Sequence, residues 1–252
     1  MAVAAIRTAI ATLLLFILMM AFQRPFFYIY PVGLLGCLLA GSINGLGSLL
    51  FYGSLSHIGA SIGQLLYSFY PLFVALWLLL DRQKINSLTI LRLAVSIPAI
   101  FLLVGTSHEP VDLVGVALML GSAALYSLHI LINQRVLYDV PAPTVTFYTL
   151  LSMSLVVIPA YLLFDHKLPP IQTPWWPIIA MGVVTFLSRI TLFMGVKHLG
   201  SLQTALIGLG ELVVTVLLAQ WILAERFSGL QWIGAGILAA SLLLVSKDKL
   251  SP

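Results

Sequence analysis

The sequence predicts an all-α integral membrane protein, a bundle of about nine transmembrane helices, and three observations carry that expectation. Hydrophobic residues fill 61% of the 252 positions and charged residues 8%, against roughly 25% charged in an ordinary soluble domain. Between Arg24 and Asp81 there is no Asp, Glu, Lys or Arg, a run far longer than the roughly 20 apolar residues of one crossing. The apolar runs lack the period-two alternation of barrel strands. Because backbone amides find no water in hydrocarbon, helices are the spanning structure that remains.

Spans are expected near residues 3–21, 31–54, 59–80, 88–105, 111–133, 143–164, 175–196, 201–223 and 229–246. The first is a full-length apolar run after Arg7 with no small-residue cleavage site, unlike a signal peptide. The second and third share the uncharged stretch, so a tight hairpin near His57 and Gly59 must join them. Pro71, Pro98 and Pro159 each remove a backbone hydrogen bond from a span, and Pro71, beside Tyr67 and Tyr70, is expected to bend its helix. The seventh span opens on Trp175 and Trp176, at an interface that amphipathic rings favour. Connections are short, the longest lying near Asp165 to Pro170, which leaves no room for an extramembrane domain. Function is therefore expected inside the bundle.

The net charge of +4 has no basic domain to sit on, so it speaks for topology and not for nucleic-acid binding. Assigning the loops alternately puts Arg24, Arg82, Lys84, Arg135, Lys197, Lys247 and Lys249 on one side, with Arg92 just inside the membrane. The other side receives Lys167, Arg226 and Arg7. The positive-inside rule makes the first side cytoplasmic, with the C-terminus inside and Met1 outside. That frame is expected either if a preceding helix is absent from this sequence or if the chain is a divergent nine-helix version. The lone Cys37, in an apolar stretch, reads as a small buried hydrophobe. No disulfide and no multi-cysteine metal site can be built on it.

Two segments repeat one another: Ser56-His57-Ile58-Gly59-Ala60-Ser61 and Lys197-His198-Leu199-Gly200-Ser201-Leu202. Each leads into a long apolar helix ending in an acid-arginine pair, Asp81-Arg82 or Glu225-Arg226. A displacement of five crossings, an odd number, turns one copy upside down relative to the other. Secondary transporters use such inverted repeats to build inward-open and outward-open states from similar halves. On these hairpins, together with Ala5-Ile6-Arg7-Thr8 opening an apolar helix, Tyr70-Pro71 within one and Leu-Ala-Glu-Arg over Leu223 to Arg226, the chain resembles the EamA type of the drug/metabolite transporter superfamily.

The resemblance covers essentially the whole chain. It implies ten helices in two inverted five-helix repeats, both ends cytoplasmic, around a central cavity. This chain then has a four-helix first repeat over residues 1–107, without the counterpart of the first helix, and a five-helix second repeat over residues 108–252. Glu211-Leu212 departs from the Glu-Pro often found there, so a proline-assisted helix break is expected to be weaker in the second half.

Arg189 and Glu211 fall deep in the seventh and eighth spans, where an ion costs several kcal/mol unless it is paired or faces water. At about 1.5 Å rise per residue both start within about 5 Å of the midplane of adjacent antiparallel helices. They could therefore meet, either as cavity groups that bind the carboxylate and ammonium of a zwitterion or relay protons, or as a pair that locks two helices. Tyr67, Tyr70, Asn44, Gln64, Tyr126 and Gln203 complete the candidate substrate-binding set. Interhelical hydrogen bonding is the competing account of each. Ser122, His129, Thr185, Ser188 and Thr204 are further polar residues in spans; His129 reads as a packing histidine, and His57 and His198 as caps or bridges of their hairpins. No histidine pair has metal-ligand spacing, and no cofactor is called for.

Enzymatic chemistry is disfavoured, because there is no nucleophile elbow, no zinc-protease motif and no phosphate loop. A phosphate-ester carrier would offer several cavity cations where Arg189 stands alone, so a neutral or zwitterionic, amino-acid-like solute is expected. The reading is a secondary transporter or exporter working by alternating access across the cytoplasmic membrane. The alternative is a non-transporting membrane subunit or scaffold. Expected partners are a small-molecule solute and the lipid bilayer, with a homodimer mate or other membrane subunits also admissible and nucleic acid excluded.

Overall fold

The computed structural model describes residues 2–83, 85–104, 112–165, 175–214 and 229–243, and among them every regular element is helical. The elements are α1 (Ala2–Phe22), a 3-10 turn (Arg24–Phe27), α2 (Pro31–Ser54), α3 (Ala60–Tyr67), α4 (Tyr70–Leu80), α5 (Ser87–Val104), α6 (Leu113–Leu137), α7 (Ala142–Phe164), α8 (Trp176–Leu199), α9 (Ser201–Gly208) and α10 (Gly229–Leu243). Five of them, α1, α2, α6, α7 and α8, are long and apolar enough to cross a membrane, and shorter apolar helices accompany them. The 21 residues of α1 extend about 31 Å, the thickness of a hydrocarbon core. This is a multi-pass membrane fold. The expected features at Lys84, residues 166–170, Glu225-Arg226, Lys247 and Lys249 lie outside the described residues.

The helix ends follow from local chemistry. Proline stands in the first turn of α4, α7 and α8 and begins α2, where its missing N–H is one the helix could not use anyway. Gly200 ends α8 with φ at +84°, a left-handed backbone that a residue without Cβ adopts freely. Pro98 and Pro159 sit inside α5 and α7, which continue through them. Pro71 behaves differently from the expected bend: the third span breaks at Ser68 and Phe69, and Pro71 falls in the opening turn of a new helix. The eighth span breaks in the same register, with a turn at Leu209 and helix resuming over residues 210–214.

Contacts divide the chain into two compact units, Met1–Tyr52 with Leu128–Gly200 and Gly53–Ser127 with Ser201–Pro252. In the first unit α1 packs on α7 and α8. Its buried face runs Ala4, Thr8, Ala11, Thr12, Leu15, Met19, a stripe at helical spacing that meets Phe147, Leu150, Met153 and Val157 of α7. Lipid tails are as apolar as leucine, so close packing and hydrogen bonds must supply the association. Both are present. A Cβ on Gly41 would collide with Thr149 and Ser152 of α7, and one on Gly182 would collide with Ile10 of α1. Thr12 and Ser154 share a hydrogen bond of 3.0 Å, Ser152 donates to the Leu38 carbonyl at 2.7 Å, and Thr149 donates to Asn133 Oδ1 at 3.0 Å. Cys37 is buried, and His129, also buried, packs edge-on against Phe193.

In the second unit α5 lies against α10 and α3, and α4 lies against α9. Trp77 of α4 donates Nε1–H to Ser127 Oγ at 3.0 Å, tying it to α6. The hairpin between α2 and α3 is anchored at the start of α6: Asp112 Oδ1 accepts the Val114 N–H at 2.9 Å, an N-cap arrangement, and Oδ2 lies 2.8 Å from His57 Nδ1. These contacts hold the Asp112 carboxyl below the usual carboxylate range, the Val114 bond contributing more than His57. His57 thus bridges as expected. The matching hairpin in the first unit is held by its lysine instead, Lys197 Nζ donating to the Val140 carbonyl at 3.2 Å.

Candidate functional site

The second unit gathers polar side chains around its two helix breaks. Gln64, one turn before the first break, donates Nε2–H to Glu211 Oε1 at 2.9 Å, and Glu211 stands two residues beyond the turn at Leu209. Tyr70, at the start of α4, donates its hydroxyl to the Ala205 carbonyl of α9 at 2.8 Å. Its path crosses Gly208, where any Cβ would collide with the hydroxyl. Aligning His57 with His198 places Gln64 opposite Ala205 and Tyr70 opposite Glu211 in the two copies. The bonds Gln64 to Glu211 and Tyr70 to Ala205 therefore exchange with one another under that alignment.

Tyr67, Tyr70 and Tyr126 close one side of this cluster. Their ring centroids lie 5.9 Å (67 to 70), 5.5 Å (67 to 126) and 5.2 Å (70 to 126) apart, the last pair edge-on. Rings this close pack on each other and leave no gap for a cation between them, so they form a wall and not an open cage. Tyr70 is buried, Tyr67 and Tyr126 are half-buried, and the Glu211 side chain is exposed. Five residues singled out in the sequence, Gln64, Tyr67, Tyr70, Tyr126 and Glu211, thus converge from α3, α4, α6 and the helix after Leu209.

Residues 113–247, more than half of the chain, match the profile of the EamA-like transporter family. The chain belongs to the EamA-like transporter family. It is an integral membrane transporter, and its long apolar helices are those of a multi-pass membrane protein. An uncharacterized transporter of Synechocystis sp. is 26% identical over 234 residues, 86% of this chain and 67% of its own length. A solved crystal structure superposes with a TM-score of 0.81 at 16% identity, over 97% of this chain and 86% of its own. That likeness concerns the fold.

The remaining candidates of this EamA-like chain make other contacts within their own units. Asn44 is in the first unit, 4% exposed, donating Nδ2–H to Met153 Sδ at 3.1 Å. Arg189 is half-buried on α8, also in the first unit. On the same helix the hydroxyls of Thr185 and Ser188 turn back to the carbonyls of Met181 and Thr185. Gln203 belongs to the second unit, where it meets a residue that sequence reading had assigned to topology alone. Arg92 is 1% exposed and is the largest fully buried side chain among the described residues. A signal for it was present: Thr89, Arg92 and Ser96 fall at i, i+3 and i+7 on one face of α5, and all three are buried. An arginine near a span end on the positive side reads as a snorkelling anchor, and that reading masked the stripe.

Proposed function

We propose that this transporter moves a small neutral or zwitterionic, amino-acid-like metabolite across the cytoplasmic membrane by alternating access, with Glu211 as the group that takes the solute's ammonium. The observation that carries the reading is the Gln64–Glu211 hydrogen bond at the junction of two matched helix breaks. An ion inside a span is retained where it faces water and does work, and interrupted helices at repeat interfaces are where transporters place their sites. Gln64 orients the carboxylate, and the tyrosine wall supplies an apolar face with hydroxyl edges. Arg189, which belongs to the other unit, is proposed as a functional intramembrane cation on the strength of its depth in the span. Asn44, engaged with Met153, serves packing in this reading. Nothing in the proposed cycle calls for covalent chemistry, so the chain is read as a carrier and not an enzyme.

The sequence halves, residues 1–107 and 108–252, are proposed as the inverted repeats. The exchange of the two hydrogen bonds described above is what such an inversion would produce.

The test begins with a solute screen by thermal stabilisation, followed by flux of the hit in proteoliposomes. Glu211→Gln is expected to weaken binding of the hit by about tenfold or more, the loss that goes with a hydrogen bond to a charged group. Arg189→Ala is expected to lower flux without lowering the yield of folded protein. Unchanged kinetics in both variants sinks the proposal. Absence of any flux, together with copurification of other membrane proteins in fixed stoichiometry, favours a scaffold subunit instead.

A further inference from the structure

Arg92 and Gln203 form a clamp between α5 and α9. Arg92 Nη1 donates to Gln203 Oε1 at 2.6 Å, and Gln203 Nε2 donates to Thr89 Oγ1 at 3.3 Å. Thr89 and Arg92 are three residues apart on one helix and therefore neighbours on its surface. One turn of α5 thus grips the Gln203 amide at both of its ends.

The element being gripped is short. The eight residues of α9 make about two turns, too few to hold their own orientation without tertiary contacts. Gln203 lies in the first of those turns. Two residues later Ala205 presents its carbonyl to Tyr70, and beyond the turn at Leu209 the chain carries Glu211 to Gln64. The rotation of α9 about its axis therefore decides whether both of those bonds can form, and the clamp fixes that rotation.

The clamp is also one-sided. The half-helix matched to α9 is α3, and the helix that follows the second copy, as α5 follows the first, is α10. The sequence of α10, GLQWIGAGILAASLL, contains no charged residue. Among the described residues of that helix, no arginine stands ready to grip α3 as Arg92 grips α9.

We propose that Arg92 is a positioning residue, which through Gln203 sets the rotation of α9 and so places Glu211 against Gln64. Gln203, a candidate solute ligand from sequence, becomes part of the support. The functional weight of this inference rests on the reading of Glu211 as the solute-binding carboxylate.

The experiment measures how fast dicyclohexylcarbodiimide modifies Glu211 in the full chain in detergent, quantified on the Glu211 peptide by mass spectrometry with Glu211→Gln as the blank. Arg92→Gln and Gln203→Leu break the clamp. Arg92→Lys and Gln203→Glu keep a charged donor or an acceptor in place. The breaking variants are expected to change the Glu211 rate by about tenfold, as for a lost charge-assisted hydrogen bond, and the conservative ones by less than about twofold. Equal rates in all four folded variants overturn the proposal, and so do equal changes in breaking and conservative variants, which would mark a merely structural role. If neither breaking variant folds, Thr89→Val decides, since it deletes the 3.3 Å bond and leaves Arg92 and Gln203 in place; a rate unchanged from the unmodified chain overturns the proposal. The labelling needs no solute. A rate that follows Arg92 while flux survives in Glu211→Gln would uphold the positioning and refute the transport role of Glu211.

Discussion

At the scale of single residues, the contact that best repays testing is Tyr70 over Gly208. A tyrosine hydroxyl reaches a helix carbonyl only if the residue beneath it is small, and glycine at 208 leaves that space. Gly208→Ala is expected to destabilise the protein by about 1–3 kcal/mol, the usual cost of overpacking, and Tyr70→Phe by about 1 kcal/mol, the net worth of one hydrogen bond. In the double variant the hydroxyl that the new methyl would strike is gone, so the two effects are expected to sum to less than their separate values. A thermal or denaturant series on the four proteins measures this, and strict additivity refutes it. Glu211, Gln64 and the three tyrosines were legible in the sequence because polar residues are conspicuous in apolar spans. Arg92 was not, since its role depends on Gln203, more than a hundred positions away.

Among the elements, the two helix breaks and the anchored hairpin stand out. The break before Tyr70 coincides with a proline, but the break at Leu209 forms without one. A missing N–H is therefore not required for a break of this kind; the tertiary bonds Tyr70 to Ala205 and Gln64 to Glu211 span the junction of the two. Periodicity could not show this, because each broken span keeps one continuous apolar run. The hairpin at His57 carries a pH dependence. Asp112 is held below the usual carboxylate range by the Val114 N–H and then by His57. Its stabilising contribution is present above its ordinary pKa of about 3.9 and is lost as pH falls through the lowered folded value. Thermal stability in detergent is therefore expected to drop below about pH 4. Asp112→Asn, which keeps an acceptor for Val114 but cannot ionise, is expected to shrink that drop. An acid limb undiminished in the variant contradicts the assignment.

For the whole molecule, orientation is the property closest to the sequence. By the positive-inside rule, the excess of Lys and Arg on one set of loops predicts a cytoplasmic C-terminus. A fluorescent protein fused after Pro252 is expected to fluoresce and a phosphatase fused there to stay inactive; the opposite pair of results reverses the topology. Composition and apolar runs by themselves determined that the chain is helical, that it lives in a bilayer, and where most spans begin and end. Hydrocarbon makes those outcomes obligatory, since no backbone amide may go unbonded there. The hairpin copies and short motifs were enough to point to the EamA type, which the family match then established. Only the tertiary structure decided which polar residues work together. It gathers Gln64, Glu211 and three tyrosines at two helix breaks in one compact unit, bonds Asn44 to Met153 in the other, and shows Arg92, counted from sequence among the topology-setting charges, buried against Gln203. Hydropathy records how far a residue is from water. It carries no information about which side chain from a distant helix waits on the other side, and a site is made of those pairings.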